Sequence, residues 1–166
     1  MEPLSVAEKA ISQVFLAKQR MTWMPSRAIV LGAGPLGLLV TMLLRLRGLE
    51  VYCAATRPRM SLKAELVQRV GATYVNTTET QLRFVPGKFD LVIEATGSVG
   101  VAIESLSLLK SNGVLGFLGV YRDKEACQDF GKVLTNMVLG NRLMLGSVSS
   151  DKKHFEMGLK LSLIHI

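Results

Sequence analysis

The sequence predicts a doubly wound α/β domain, with six parallel strands in the order 3-2-1-4-5-6 and helices on both faces. Three observations carry this prediction. Short apolar runs recur without polar alternation, among them Ala28-Ile29-Val30-Leu31, Val51-Tyr52-Cys53-Ala54-Ala55 and Leu91-Val92-Ile93. Strands buried on both faces require such runs. Segments of helical period separate them. A glycine-rich hexapeptide, Gly32-Ala33-Gly34-Pro35-Leu36-Gly37, joins the first run to the first helix.

Each element has its own signals. Residues 3–20 read as a helix: Pro3 suits a first turn, and Ala7, Ala10, Ile11, Val14, Phe15 and Ala17 share one face. Trp23-Met24-Pro25-Ser26 ends it. Arg27–Leu31 is the first strand, and Pro35–Arg47 the next helix, stopped by Gly48. Glu50–Ala54 is the second strand, Met60–Val70 a helix stopped by Gly71, and Thr73–Val75 the third strand. Asn76–Lys88 is polar and reads as loop. Phe89–Glu94 is the fourth strand, and Val99–Leu109 a helix. Asn112-Gly113 makes a turn before the fifth strand at Val114–Leu118. Ala126–Leu139 reads as a helix, Arg142–Val148 as the sixth strand, and Ser149–Lys160 as a last helix capped by Ser150 or Asp151.

Composition bounds the answer. The 166 residues suffice for one domain, and 49% hydrophobic with 20% charged residues promises a packed core. Cys53 and Cys127 lie too far apart for metal spacing or a disulfide framework. A reducing compartment fits, and the cytoplasm is the expected location. The first twenty residues carry charges throughout and hold no secretory apolar core. Ala28–Leu44 is uncharged, but its glycines and proline serve a strand-to-helix turn better than a membrane span. The net charge of +7 is spread along the chain without a basic block or aromatic interleaving, which speaks against nucleic acid as partner.

The hexapeptide fits G-x-G-x-x-G. Gly32 allows the tight turn, Gly34 lets a pyrophosphate approach the backbone, and Gly37 lets helix and strand pack closely. The helix that follows, entered through Pro35 and Leu36, points unpaired N–H groups at phosphates. This is the Rossmann arrangement for a dinucleotide. The end of the second strand indicates which one. NAD sites offer a carboxylate there for the ribose 2′-hydroxyl. This chain offers Thr56-Arg57-Pro58-Arg59, and Glu50 stands at the opposite end of the strand. Arg57 and Arg59 suit the 2′-phosphate of NADP, with NAD as the lesser alternative.

Longer stretches carry a family resemblance. Glu2-Pro3-Leu4-Ser5-Val6-Ala7-Glu8-Lys9-Ala10, the glycine turn, Phe89-Asp90-Leu91-Val92-Ile93-Glu94-Ala95-Thr96-Gly97, Asn112-Gly113-Val114-Leu115-Gly116 and Leu145-Gly146-Ser147-Val148 with His154-Phe155 together span residues 2–160. The chain resembles the medium-chain, zinc-dependent alcohol dehydrogenases, and among them the archaeal-type glucose 1-dehydrogenases. The resemblance implies oxidation of an aldose at C1 to its lactone, with hydride passed to NADP or NAD. It implies Thr96 and Gly97 beside the cofactor's ribose, and Leu118, Gly119 and Val120 along the nicotinamide. Ser147 and Ser149 follow at the nicotinamide and sugar; asparagine is usual where Ser149 stands. Glu2 is implied as a zinc ligand, or as holder of zinc-bound water or substrate. His154 reads as a packing residue at a helix start.

The resemblance also implies what lies elsewhere. The family's remaining zinc ligands come from a β-rich domain preceding Glu2, and no catalytic residue is assigned within the chain. Residues 1–26 are expected to be a helix and linker from that domain, and residues 27–160 the cofactor domain. The last six residues, Leu161–Ile166, equal the translation of CTGTCTCTTATACACATC, a transposon end used in sequencing libraries, and are expected to be non-native. The full-length protein is expected to be a homo-oligomer acting on a small sugar. The alternatives are another medium-chain polyol or alcohol dehydrogenase, and a non-catalytic NADP-binding redox sensor.

Overall fold

The computed structural model describes residues 2–121 and 130–164. Its strands are β1 (Arg27–Leu31), β2 (Glu50–Ala55), β3 (Thr73–Asn76), β4 (Phe89–Glu94), β5 (Leu109–Phe117) and β6 (Leu143–Gly146). They form one parallel sheet in the order β3-β2-β1-β4-β5-β6, as the sequence predicts. In register, Ile29 sits between Tyr52 on β2 and Val92 on β4, and Val92 pairs onward with Leu115 on β5.

Helices cover both faces. They are α1 (Glu2–Phe15), α2 (Ala17–Arg20), α3 (Pro35–Leu46), α4 (Leu62–Arg69), α5 (Val99–Ser105), α6 (Phe130–Leu139) and α7 (Lys152–Ile164). Because strand side chains alternate, β1 sends Ala28 and Val30 to one core and Ile29 and Leu31 to the other. The first core holds Ile11 and Val14 of α1, Val40 and Leu44 of α3, and Ala64 and Val67 of α4. The second holds Leu82, Val85, Phe89 and Leu108, with Val101 of α5 packed against them. Both faces of β1 are therefore dry, which is why its sequence shows no alternation.

The structure corrects several predicted boundaries. The first helix breaks at Leu16 and resumes as α2. The helix from Val99 stops at Ser105 and tightens into a 3-10 turn at Leu106–Leu108. The fifth strand starts at Leu109 and not at Val114. Asn112 and Gly113 form no separating turn: they sit in an irregularity where pairing passes from Phe89–Leu109 to Leu91–Val114. Asn112 takes a φ of 60°, which a short amide side chain tolerates. The carbonyls of Leu109 and Lys110 accept from the Arg142 guanidinium, so Arg142 braces β5 before β6 begins. The loop Asn76–Lys88 contains a 3-10 turn at Leu82–Phe84. Residues 126–129 of one predicted helix, with Cys127, lie outside the described residues, as do His165 and Ile166. Asp151 caps α7 through the His154 N–H at 3.0 Å, and its carboxylate also meets His154 Nδ1 at 2.6 Å. Leu161 to Ile164 continue α7 without a break.

One buried charge ties two helices. Glu8 on α1 is fully buried, and its Oε2 accepts from Arg47 Nη2 at 2.6 Å. Arg47 caps α3, and its other terminal nitrogen donates to the Leu43 carbonyl at 3.0 Å. Glu8 Oε1 has no partner, so the carboxylate depends on this guanidinium. Removing one partner of a buried pair costs more than removing the charge altogether. Arg47→Ala is therefore expected to lower the unfolding free energy by about 2–3 kcal/mol, somewhat below the fully buried range because Arg47 is partly exposed. Glu8→Met is expected to cost clearly less. Urea titrations followed by circular dichroism measure both, and equal losses would contradict this account.

Candidate functional site

The sheet changes direction at β1: its neighbours β2 and β4 lead away to opposite sides. In open α/β sheets ligands bind at such a switch point, outside the carboxyl ends of the strands. A cleft of about 780 Å³ opens there, walled by Gly32, Gly34, Thr56, Arg57, Thr77 and Thr96 among others.

The three motif glycines have different surroundings. Gly32 takes φ +110°, and an added Cβ would stand 3.1 Å from the Ala95 carbonyl oxygen and Thr96 Cγ2. A Cβ on Gly37 would stand 1.9 Å from the Gly32 carbonyl oxygen, so helix and strand touch backbone to backbone. A Cβ on Gly34 would meet nothing within 4 Å. The space above Gly34 is therefore open where the spaces at Gly32 and Gly37 are filled. Gly34 is the N-cap of α3 without a side-chain cap, and Pro35 has no N–H. The first helical bond runs from Leu38 N–H to the Gly34 carbonyl at 2.9 Å, which leaves the amides of Leu36 and Gly37 free of helical partners.

Beyond β2, the Tyr74 hydroxyl donates to the Arg57 carbonyl at 2.7 Å and holds that turn in place. Burial, with Cys53 and Glu79 adding to it, raises the Tyr74 phenol above its ordinary range. Arg57 faces the cleft. Arg59 does not line it: its Nε donates to Glu79 Oε2 at 2.7 Å, while Glu79 Oε1 accepts from Asn76 at 2.6 Å. Glu50 is at the far end of β2, paired with Arg27 at 3.0 Å, as expected. Two further cations line the cleft without having been anticipated, Lys63 and Arg83. Lys63 had a sequence signal, a cation in the first turn of a helix, where the macrodipole disfavours it. Arg83 had none.

The loops after β4 and β5 are locked together. Glu94 ends β4 and is fully buried. Its Oε1 accepts from the Thr96 N–H at 2.6 Å and from the Thr96 hydroxyl, and its Oε2 from the Tyr121 hydroxyl. Burial, and then the Glu94 carboxylate, hold the Tyr121 hydroxyl well above the ordinary phenol range. Gly97 has φ +72°, and a Cβ on Gly119 would stand 2.4 Å from the Gly97 nitrogen. The Leu118 N–H donates to the Glu94 carbonyl at 2.8 Å, and Val120 is exposed. The sequence shows Glu94 within the Glu-Ala-Thr-Gly motif, and its role becomes visible only through this burial and these partners.

Ser147 pairs with the Phe117 carbonyl through its N–H at 3.0 Å, and its buried hydroxyl has no partner. Ser149 has φ +57°, unusual for serine. This loop rests on α1: Ser5 and Ser150 hydroxyls meet at 2.8 Å, and Lys9 donates to the Val148 carbonyl at 2.8 Å. The start of α1, with exposed Glu2 in its first turn, therefore lies on the same edge as the loop after β6. Among the described residues no group of three or more His, Cys, Asp or Glu side chains is placed to hold a metal. Cys53 is buried 3.9 Å from the Gly32 carbonyl, and burial pushes its thiol up to about 11, so it is inert.

A glycine-turn cleft at the switch point of this sheet defines a dinucleotide-binding domain of the doubly wound class. The particular family follows from comparison. The family described as glucose dehydrogenase C-terminus matches residues 1–163, and the chain belongs to it. The glucose 1-dehydrogenase 1 of Caldivirga maquilingensis is 49% identical over 160 residues, covering 96% of this chain and 45% of that protein. The crystal structure of glucose dehydrogenase from Haloferax mediterranei aligns with a TM-score of 0.89 at 37% identity, covering 95% of this chain and 46% of that one. A second structure of the Haloferax enzyme, described as a complex with NADP, Zn and gluconolactone, aligns with a TM-score of 0.88 at 37% identity over the same shares. The chain thus spans about half the length of the relatives it matches.

The glycines separate folding from binding. Gly37→Ala drives a methyl group into backbone and is expected to destabilise the chain by about 3 kcal/mol or more. Gly34→Ala fills open space, with a cost of about 1 kcal/mol or less at the N-cap. It is nevertheless expected to weaken dinucleotide binding at least ten-fold, because the methyl group occupies the phosphate approach. Thermal melts and ligand titration of the two variants check this. Gly34→Ala binding like the unmodified chain would remove the glycine turn from the site.

Proposed function

We propose that the chain is the cofactor domain of a zinc-containing sugar dehydrogenase that prefers NADP and oxidises an aldose at C1 to its lactone. One observation carries the cofactor reading: the cleft combines the open Gly34 turn with Arg57 at the end of β2, where no carboxylate stands. A carboxylate there would repel a 2′-phosphate; a guanidinium pairs with it. Family membership and the NADP, Zn and gluconolactone in the Haloferax complex support the rest.

In this reading the free amides of Leu36 and Gly37 take the pyrophosphate. Thr96 is oriented by Glu94 and holds the ribose beside Gly97. Leu118, Gly119 and Val120 offer backbone groups along the nicotinamide, and Ser147 and Ser149 close its far side. NADP, when bound, supplies the hydride acceptor. Glu2 is the one residue here assigned to the zinc environment. Among the described residues the donors do not make a zinc site by themselves, and in this reading the other ligands would come from a preceding domain. Residues 1–26 then join that domain to the cofactor domain at 27–160, and residues 161–166 are a non-native tail. A broader sugar or polyol range is the second reading. Ser149 favours it, since a hydroxyl reaches less far than the asparagine expected there.

Titration of the chain with NADPH and NADH, followed by nicotinamide fluorescence, is expected to show NADPH binding about ten-fold tighter or more, the worth of one charge-assisted hydrogen bond. Equal or tighter binding of NADH would overturn the preference. For the reaction, a longer gene product including the preceding domain is expected to convert glucose to a lactone and to lose turnover on zinc chelation. A keto-sugar or ketone product would favour the second reading.

A further inference from the structure

Among the described residues, the cleft wall carries more positive than negative charge. Among the described residues, every arginine but two donates to a protein oxygen. Arg27, Arg47, Arg59 and Arg69 reach carboxylates, and Arg20, Arg45 and Arg142 reach amide or main-chain carbonyl oxygens. The exceptions are Arg57 and Arg83, and both line the cleft. Arg83 lies 4.9 Å from the centre of the Phe84 ring, a contact that steadies a guanidinium without neutralising it. Lys63 lines the same cleft, half-buried and without an acceptor. It stands in the first turn of α4, where the helix dipole repels a cation, and Ser61 already caps that helix. Such a placement costs local stability, which a bound anion would offset.

Among the described residues Glu104 is the one carboxylate on the cleft wall. Three cations against one carboxylate leave a net charge of about +2, matched to the charge of roughly −1.5 to −2 on a phosphate monoester. The pyrophosphate is not that group, since the α3 N-terminus receives it. The monoester of NADP is the 2′-phosphate, which projects from the ribose at the end of β2. Arg59 is withheld from it by Glu79, itself held by Asn76, a buried side chain on β3.

We propose that Lys63 and Arg83 complete a three-cation clamp with Arg57 on the 2′-phosphate, and that Arg59 serves as a strut between two loops. The proposal rests on the NADP reading above and adds the residues that set the preference. The test uses the whole chain with two probes, 2′,5′-ADP and 5′-AMP, which differ only in the 2′-phosphate. Isothermal titration of the unmodified chain is expected to show tighter binding of 2′,5′-ADP. Lys63→Ala and Arg83→Ala are each expected to weaken 2′,5′-ADP about ten-fold while 5′-AMP stays within about two-fold. Arg59→Ala is expected to keep the ratio of the two affinities within about two-fold. Thermal melts verify that the variants are folded. If the unmodified chain prefers 2′,5′-ADP and either Lys63→Ala or Arg83→Ala leaves the ratio unchanged, the clamp is wrong and the NADP reading stands. Equal weakening of both probes would move the residue to the shared nucleotide and also overturn the clamp. A collapsed ratio in Arg59→Ala would overturn the strut. An unmodified chain without preference would remove the NADP reading itself.

Discussion

The backbone contact between α3 and the end of β1 is the constraint on which the rest of the molecule depends. A side chain at Gly37 would occupy the position of the Gly32 carbonyl. Without one, α3 starts directly above the strand, and its free amides look into the crevice between β2 and β4. The core follows from the same approach. Val40 and Leu44 reach the sheet because the helix begins so close to it, and Ile11 and Val14 of α1 pack into the same apolar layer. The Glu8–Arg47 pair then closes the far end of this layer. One missing Cβ thus sets the helix axis, the depth of the core and the mouth of the cleft.

A second joint works by charge. Glu94 is buried with both oxygens engaged, and its partners come from the loops after two different strands. The carboxylate is fully buried, so each of these hydrogen bonds is stronger than it would be at the surface. The loop with Thr96 and Gly97 and the loop with Leu118 to Val120 consequently behave as one surface. A ligand lying across them meets a prearranged wall, with little ordering left to do on binding.

The sheet was legible because parallel strands buried on both faces leave continuous apolar runs, and β1, β2 and β4 do so. The start of β5 was not, because Lys110-Ser111-Asn112-Gly113 reads as a polar turn, whereas pairing with β4 and bonds from Arg142 and to Gly140 hold it in the strand. At the site, the glycine turn and Arg57 were legible from local order. Arg59 stands close to Arg57 in sequence, which suggests a shared target, and the structure pairs it with Glu79, twenty residues on. Lys63 and Arg83 reach the cleft from two other elements, and no local pattern joins them. Glu94 resembled any strand-end carboxylate until burial and its three donors gave it a task.

The excess positive charge of the cleft wall also has a kinetic consequence. A concave, low-dielectric surface with one sign of charge focuses its field outward and raises the encounter rate with anions. Anions approaching this mouth are drawn in before any contact forms. Counterions screen that attraction over about 10 Å at 0.1 M ionic strength. Salt will therefore slow the capture of an anionic ligand more than it speeds its escape.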